Sequence, residues 1–328
     1  KLYYQVKKSV DLSRLPKIEG YDFEKKDFDK LLDSFNTTGL QASELGKAIE
    51  ITRTMIREDI PIFLSFTSNM VSSGVREHIK YLVKNKKVHV LVTAAGGVEE
   101  DAIKARSPFR VGDFEVKGEA LFESGVSRIG NIFTTNEHYT YFEFFIRRVF
   151  DKLMEENTKD GYCVVSPSEI AKMMGCVMEK DKEYDYKSSI LYWAYKNNIP
   201  VFCPGIVDGA IGDMLYFYKK NHQNFVLDTA KDHEKIIDYT LNSEKTAAII
   251  LGGGISKHYT LNANIFKEGL DYAVYISTAQ SFDGSDSGGN QEEAISWAKI
   301  KTNAPHAKVN CDASIAFPLL VAASFAKN

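Results

Sequence analysis

A lysine close to a tryptophan is the first feature of this chain that could carry covalent chemistry. Lys299 follows Trp297 by two residues, in the segment Ser296-Trp297-Ala298-Lys299. A bulky ring that excludes water from an amine lowers the pKa of that amine and frees it to form an imine. Most lysines are solvated surface charges, so spacing alone leaves both a catalytic and a structural interpretation of Lys299 open.

Carboxylates near the ends of apolar runs could hold a flexible polycation beside an aromatic ring, through charge-assisted hydrogen bonds and cation–π contact. They are Asp208, Asp213, Asp283, Asp286 and Glu293. A solvated acidic loop and a calcium site are the alternative interpretations. The run Asp283-Gly284-Ser285-Asp286 lacks the full ligand pattern of a calcium loop, and the seven histidines show no HExxH-like pairing. Metal chemistry is therefore not expected.

Four polar or glycine-rich segments each follow an apolar run. They are residues 67–74, 94–101, 252–254 and 282–289. In parallel α/β sheets, ligands gather at the carboxyl ends of strands, where loops and helix N-termini present backbone N–H groups. Each segment alone could be a plain turn or a helix N-cap. Together they favour a site for an anionic, phosphate-bearing ligand, although the GxGxxG dinucleotide fingerprint is absent. His258, after the triple glycine, could carry a proton near neutral pH or be a satisfied buried histidine.

The elements that must position these residues are short apolar runs that alternate with helical patterns. The runs predict strands at 62–66, 88–93, 201–203, 225–227, 247–251, 273–276 and 308–311. Between the first two, Val71, Val75, Ile79, Leu82 and Val83 form a stripe at helical spacing. This repetition predicts an α/β fold with a doubly wound, mostly parallel, Rossmann-like sheet.

The first sixty residues have a helical character of their own. Leu45, Ala48, Ile49, Met55 and Ile56 fall on one face of a predicted helix. We expect residues 1–60 to pack as a helical N-terminal extension on a body formed by residues 61–328, in one integrated domain. Because the chain begins with Lys1 rather than Met, we also expect that an N-terminal segment has been trimmed.

The composition of the 328 residues, 44% hydrophobic and 26% charged, is that of a soluble globular protein. A formal net charge of -3 argues against a nonspecific grip on nucleic acid. The longest nearly apolar run, residues 315–323, is too short to span a membrane and contains Pro318. The four cysteines lack a CxxC spacing, so we expect reduced thiols in a cytosolic protein.

Taken in order, the polar segments resemble the deoxyhypusine synthase family. The resemblance lies in residues 67–74, 91–101, 208–214, 249–258, 273–287 and 293–300, and it extends from Gly20 to the C-terminus. It implies an NAD-dependent aminobutyl transferase with spermidine as donor. In the implied reaction NAD takes a hydride from spermidine, and an enzyme lysine captures the aminobutyl group as an imine with release of diaminopropane. A lysine of the translation factor 5A precursor then receives the group, which is reduced to deoxyhypusine.

The resemblance also implies roles for individual residues. Lys299 is the implied nucleophile, and His258 is the second catalytic residue. The implied substrate-binding residues are Glu99, Glu100, Asp213, His258, Asn262, Tyr275, Asp283, Gly284, Ser285, Asp286, Glu293 and Trp297. The implied cofactor-binding residues are Ser68, Asn69, Ser72, Ala94, Ala95, Gly96, Glu100, Asp208, Gly253, Thr278, Ala279, Ser287, Asp312 and Ala313. At Ala94 the family has a threonine, so this chain lacks one hydroxyl near the cofactor.

The resemblance further implies a cytoplasmic homotetramer, a dimer of dimers with active sites between paired subunits. Two alternatives remain within related chemistry. One is a catalytically impaired regulatory paralogue that activates a partner subunit, and the other is a homospermidine synthase that transfers the group to putrescine. Retention of Lys299, His258, Asp286, Glu293 and Trp297 argues against the regulatory paralogue.

Overall fold

The computed structural model describes residues 11–326, in which helices and strands alternate along most of the chain. The helices are α1 (Phe28–Thr38), α2 (Leu40–Arg57), α3 (Ser68–Ser72), α4 (Val75–Lys84), α5 (Ala95–Arg106), α6 (Gly118–Glu123), α7 (Asn136–Asn157), α8 (Pro167–Glu179), α9 (Ile190–Asn197), α10 (Ala210–Lys219), α11 (Ala230–Leu241), α12 (Gly254–Ala263), α13 (Gln291–Ser296) and α14 (Ala313–Ala323). Short 3-10 helices lie at Phe23–Lys25, Tyr186–Ser188 and Ile265–Lys267.

The strands form one large sheet and two small ones. They are β1 (Ile62–Phe66), β2 (Val90–Thr93), β3 (Arg110–Val111), β4 (Val126–Ile129), β5 (Ile132–Thr135), β6 (Thr158–Lys159), β7 (Tyr162–Val165), β8 (Val201–Phe202), β9 (Phe225–Leu227), β10 (Ala247–Leu251), β11 (Tyr272–Ile276) and β12 (His306–Val309).

The large sheet has six strands in the order β12-β11-β10-β1-β2-β8, and every neighbouring pair is parallel. From β1 the chain first winds outward through β2 to β8, then returns to the other side of β1 and winds outward through β11 to β12. This is the strand order of a Rossmann sheet, with its topological switch point between β1 and β10. The expected doubly wound α/β fold is confirmed.

The inner strands of the large sheet are apolar because both of their faces are buried, whereas His306 and Lys308 of the edge strand β12 are only partly buried. Ile62, Leu64 and Phe66 of β1 lie in one hydrophobic core, whereas Phe63 of the same strand lies in a second core on the opposite face. Successive side chains of a strand point to opposite faces, so covering both faces requires a continuous apolar run. This is why the sequence pattern located these strands well.

The N-terminal helices add to the first of these cores. The side chain of Asp27 caps α1 by accepting a hydrogen bond from the backbone N–H of Lys30. On α2, Leu45, Ala48, Ile49 and Met55 are buried in the same core as β1. The described part of residues 1–60 thus contains the helices α1 and α2, while residues 1–10 lie outside the described residues.

Two sequence predictions about elements need correction, and one small sheet was not predicted. The strand at 225–227 exists as β9, but it pairs with β7 in a small sheet rather than in the large one. The helical stripe from Val71 to Val83 is broken after Ser72, so Val71 belongs to α3 and the rest to α4. The antiparallel sheet β3-β5-β4 was not predicted, because its strands are short and largely exposed. Within residues 11–326, no helix is long and apolar enough to cross a membrane.

Candidate functional site

The loops that follow β1, β10 and β11 meet at the carboxyl edge of the large sheet, around the switch point. The backbone N–H of Thr67, after β1, donates to the carbonyl of Leu251 at 3.2 Å, and that of Gly252 donates to the carbonyl of Ile276 at 2.9 Å. Two of the four predicted segments, 67–74 and 252–254, thus each begin with a backbone hydrogen bond to the last residue of the next strand along the sheet. This is the edge at which ligands of such folds bind.

Glycine is required where these loops touch. Gly252 has φ +84°, and a Cβ atom there would lie 2.8 Å from Oγ1 of Thr67. A Cβ atom on Gly253 would lie 2.5 Å from Cα of Ser287, and Oγ of Ser287 accepts a hydrogen bond from the N–H of Gly254 at 2.9 Å. Two predicted cofactor residues, Gly253 and Ser287, are therefore in direct contact.

A buried carboxylate joins the loops after β1 and β2. Glu100 of α5 accepts a short hydrogen bond from the hydroxyl of Ser72 on α3. A Cβ atom on Gly96 would lie 2.9 Å from Cβ of Ser68 and 3.3 Å from Oε1 of Glu100. Burial raises the pKa of Glu100 to about 7, and the nearby charge of Glu99 acts in the same direction. Ser68, Ser72, Gly96 and Glu100, all predicted site residues, are thus brought together. We call these four residues the Glu100 cluster.

Glu99 faces a different element. Its carboxylate accepts the backbone N–H of Ile211 at 2.9 Å and lies near that of Ala210, at the start of α10. Burial raises the pKa of Glu99, and these backbone hydrogen bonds oppose the rise. Asp208 and Asp213 lie on either side of this helix start and are exposed. Glu99 therefore caps α10, the helix that follows Asp208 and carries Asp213, while its implied role in substrate binding stays a prediction.

Lys299 is buried in a small pocket after α13. Its side chain is 8% exposed, and the pocket around it is lined by residues of α12, α13 and the loop after β11. Ala298 has φ +55°, and the N–H of Lys299 donates to the carbonyl of Ala294 at 2.9 Å. This left-handed residue ends α13 and turns the chain so that Lys299 points into the pocket. Trp297 is 65% exposed, with its ring centre 5.8 Å from Nζ of Lys299, so it covers the amine on one side only.

Lys257 is the second buried lysine of this pocket, and its amine is already engaged. Nζ of Lys257 donates to the carbonyls of Asp286 and of Gly289, the latter at 2.7 Å, and it lies 4.9 Å from the ring centre of Tyr275. Burial lowers the pKa of Lys257, and the nearby charge of Asp286 opposes this. Lys257 therefore holds the loop after β11 against α12.

His258 and Asp286 form a hydrogen-bonded pair at the mouth of the same pocket. Nδ1 of His258 lies 3.0 Å from Oδ1 of Asp286, and half of the histidine side chain is exposed, so the buried-histidine interpretation is wrong. Oδ2 of Asp286 and the hydroxyl of Tyr275 are buried and have no hydrogen-bond partner within residues 11–326. Burial strongly raises the pKa of Tyr275. These unpaired oxygen atoms can accept and orient an ammonium or amine group.

Other predicted residues lie around the Glu100 cluster and the pocket of Lys299 without belonging to either. Asp283 accepts the N–H of Ser285 at 2.8 Å in an exposed loop that also contains Gly284, and Asn262 lies one helical turn after His258 on α12. Asp312 caps α14 by accepting the N–H of Ser314 at 2.8 Å. The remaining residues border the carboxyl edge in the loops or helix starts after β1, β2, β11 and β12, and they are Asn69, Ala94, Ala95, Thr278, Ala279 and Ala313.

Sequence reasoning missed several side chains that shape the site. Asn290 caps α13 by accepting the N–H of Glu293 at 3.0 Å, and Nζ of Lys308 donates to the carbonyl of Gly288 at 2.8 Å. The Asn290-x-x-Glu293 spacing is an N-cap signal that could have located the start of this helix. Lys308 on β12 had no such signal, because its contact is made through the fold.

The comparisons with known proteins agree with one another. Residues 30–324 match the family profile described as Deoxyhypusine synthase. A deoxyhypusine synthase of Musa acuminata is 45% identical over 97% of this chain and 90% of its own length, and that of Arabidopsis thaliana is 46% identical over 94% and 90%. A crystal structure described as a candidate deoxyhypusine synthase of Entamoeba histolytica superposes with a TM-score of 0.68 at 29% identity, covering 94% of this chain and 97% of the other. The match covers almost all the described elements, so the chain belongs to the deoxyhypusine synthase family.

Proposed function

We propose that this chain is an NAD-dependent deoxyhypusine synthase that transfers the aminobutyl group of spermidine to a lysine of the translation factor 5A precursor. The observation that carries the proposal is the setting of Lys299. This lysine is 8% exposed in a pocket that also contains the carboxylates of Asp286 and Glu293. A buried amine among groups that bind cations suits a nucleophile that receives one end of a polyamine.

The carboxyl edge of the sheet fits a dinucleotide in its shape and donor groups. Gly252 and Gly253 have no room for a Cβ atom, and α5 begins at Ala95 without a side-chain cap, which leaves backbone N–H groups for a phosphate. The residues that would hold NAD are Ser68, Asn69, Ser72, Ala94, Ala95, Gly96, Glu100, Asp208, Gly253, Thr278, Ala279, Ser287, Asp312 and Ala313. When bound, NAD supplies the hydride acceptor for the donor amine and the hydride donor for the final reduction.

The polyamine is held by carboxylates and by the unpaired hydroxyl group. Asp286 and Glu293 bind the ammonium groups of the polyamine. Tyr275 orients an amine through its buried hydroxyl, and Trp297 covers the polyamine with its exposed ring. Asp213 and Asn262 extend the site, as do Asp283, Gly284 and Ser285 of the exposed loop. Glu99 acts indirectly, by fixing the helix that carries Asp213.

Lys299 performs the transfer step. Its neutral amine attacks the carbon of the protonated imine of the oxidised donor and forms a new C–N bond, and the bond between that carbon and the nitrogen of diaminopropane breaks. The proton released by the lysine amine passes to the leaving amine, so that atoms and charge balance. His258, held by Asp286 at 3.0 Å, is placed to carry that proton. The acceptor lysine then displaces Lys299 by the same exchange.

The decisive experiment incubates the purified chain with NAD, spermidine and the factor 5A precursor, and measures deoxyhypusine. The parent should form product alone, and Lys299→Arg should form neither product nor a borohydride-trapped adduct, because a guanidinium stays protonated. Activity only after addition of a second subunit would identify a regulatory paralogue. Preference for putrescine in a competition assay would identify a homospermidine synthase. A trapped adduct in Lys299→Arg would move the nucleophile to another residue, with Lys257 as the next candidate.

We also propose the assembly and setting that accompany this activity. These are a homotetramer built as a dimer of dimers, with active sites between paired subunits, in the cytoplasm. Residues 1–60 and 61–328 are proposed to form one integrated domain, and the burial of Leu32 and Met55 in the core that contains β1 supports this.

A further inference from the structure

The ammonium group of Lys104 binds the carboxyl end of a very short helix. Its Nζ donates to three consecutive backbone carbonyls, those of Val71 at 2.7 Å, Ser72 at 2.8 Å and Ser73 at 2.9 Å. The first two belong to α3, which has only five residues. The last carbonyls of any helix lack partners within the helix, and a cation placed there also interacts favourably with the helix dipole.

The short helix has little stability of its own. A helix of one turn is unfavourable in isolation, because its nucleus costs more conformational entropy than its few hydrogen bonds return. Helix α5 therefore holds α3 at two points, one helical turn apart. Glu100 accepts from the Ser72 hydroxyl, and Lys104, four residues later on the same face, binds the carbonyl end.

The surroundings of Lys104 indicate that this lysine holds α3 in place, a role we call the Lys104 clamp, rather than being a solvated surface lysine. Its side chain is partly buried, and Nζ lies 5.7 Å from the ring centre of Phe109. Burial lowers the pKa of Lys104 to about 8. Arg76 on α4 also lowers it, and three carboxylates oppose the change, those of Asp101 and Glu100 on α5 and of Glu77 on α4. The described residues of α3 carry no titratable side chain.

We propose that Lys104 is a positioning residue for the cofactor, because its ammonium fixes α3 and thereby the three residues of that helix, Ser68, Asn69 and Ser72, that face the dinucleotide. The inference rests on the proposed function for the identity of the ligand. The contact of Lys104 with α3, which joins two elements through three hydrogen bonds of this chain, does not depend on the proposed function. Lys104 does not touch the reacting atoms.

The test compares Lys104→Met with the parent and with Lys47→Met, which removes an exposed lysine of α2. Hydrogen exchange of the amides of residues 68–74 should become faster in Lys104→Met only. The dissociation constant for NAD, measured by calorimetry, should rise at least about ten-fold, since charge-assisted hydrogen bonds are lost. KM for NAD should rise with it, whereas kcat at saturating NAD should stay close to that of the parent.

If Lys104→Met does not fold, the pH dependence of NAD affinity in the parent and in a second variant, Lys104→Arg, tests the proposal. In the parent, NAD affinity should fall as the pH rises through about 8, because the Lys104 ammonium loses its proton. Lys104→Arg should lose less affinity over the same range, since a guanidinium stays charged, while the titration of Glu100 is common to both proteins. An equal fall in both, or unchanged exchange and NAD affinity in Lys104→Met, overturns the proposal. If exchange becomes faster in Lys104→Met but the parent binds no NAD, then Lys104 does hold α3 in place and the proposed function is wrong.

Discussion

Lys299 owes its burial to the backbone more than to its aromatic neighbour. The left-handed Ala298 turns the chain at the end of α13, and the pocket that receives the side chain comes from α12 and the loop after β11. Family resemblance identified this lysine, and its spacing from Trp297 suggested a desolvated amine. The sequence could not reveal that the ring is mostly exposed, because that depends on how α13 ends.

The same holds for the buried glutamates. Two adjacent acidic residues at a strand end looked equivalent in the sequence, yet they point in different directions. Glu99 caps α10, whereas Glu100 accepts from Ser72. Adjacent residues of a helix are about 100° apart, so neighbours in sequence contact different elements, and only the packing of α3 and α10 decides which.

At the residue scale, Glu100→Gln should change how stability depends on pH. Burial raises the pKa of Glu100 from 4.5 to about 7, so the folded protein holds this proton more tightly than the unfolded chain does. The stabilisation is fully present below the unfolded value and is lost as the pH rises through the folded value. The parent should therefore lose up to about 3 kcal/mol of unfolding free energy from this group between those two pKa values, and the variant should not.

Urea unfolding at pH 4.5 and pH 8 measures the difference. Glu234→Gln, at an exposed position of α11, is the matched control and should keep the pH dependence of the parent. The interpretation of Glu100 is wrong if Glu100→Gln and the parent lose the same free energy over this range.

At the scale of elements, strands were predictable and their partners were not. The strands of the large sheet other than β12 are apolar runs, because helices cover both faces, and all the predicted runs agree with the observed strands of this sheet within two residues at each end. The exposed strands of the small sheets lack that signal. The break between α3 and α4 also escaped detection, since the apolar stripe continues across Gly74.

One buried ion pair joins three of these helices. Asp101 of α5 accepts from Nε of Arg76 on α4 at 2.8 Å, and it also accepts the N–H of Ile190 at 3.0 Å and of Leu191 at 2.9 Å at the start of α9. Asp101 is fully buried, and Arg76 is 3% exposed. The carboxylate thus caps one helix while it neutralises a cation of another.

Asp101→Asn should therefore be strongly destabilising. The uncharged amide removes the buried counter-charge of the Arg76 guanidinium and leaves it only the half-exposed carboxylate of Glu77, and the N–H groups of the amide face the N–H donors of α9. We expect a loss of about 3–5 kcal/mol in the free energy of unfolding, measured by denaturant titration. Asp238→Asn, on the exposed face of α11, should change it by less than about 0.5 kcal/mol. Similar small losses in both variants would contradict this account of Asp101.

At the scale of the whole molecule, the fold class followed from the alternation of strands and helices, whereas the strand order did not. Neighbouring strands in the sheet are far apart in the chain, and a single sequence carries no signal for such pairing. The order β8-β2-β1-β10-β11-β12 places the Glu100 cluster and the Lys299 pocket on different sides of the switch point. Within residues 11–326, Asp213 makes no side-chain hydrogen bond or ion pair.

An active site shared between subunits predicts complementation. Lys299→Arg and Asp213→Asn should each be inactive as pure oligomers. If Lys299 and Asp213 of one site come from different chains, then random mixing after unfolding and refolding should restore about one quarter of the parent activity, since half of the dimers are mixed and each carries one intact site. Lys299→Arg mixed with Glu293→Gln, whose residues line the same pocket, is the control and should stay inactive. Equal results for both mixtures would show that each site is built from one chain.

The pairing of β1 with β10 also sets a schedule for biosynthesis. Ile62 lies opposite Ala247, so the second edge of the central strand β1 can be covered only after nearly two hundred further residues have been synthesised. A ribosome-bound fragment that ends before β10 can assemble β1, β2 and β8, but it exposes the unpaired backbone N–H and C=O groups at the edge of β1 to other nascent chains. Contacts this distant in sequence also slow folding. We therefore expect the polypeptide to need protection from aggregation until β10 has been made, and the carboxyl edge around the switch point can form only after most of the message has been translated.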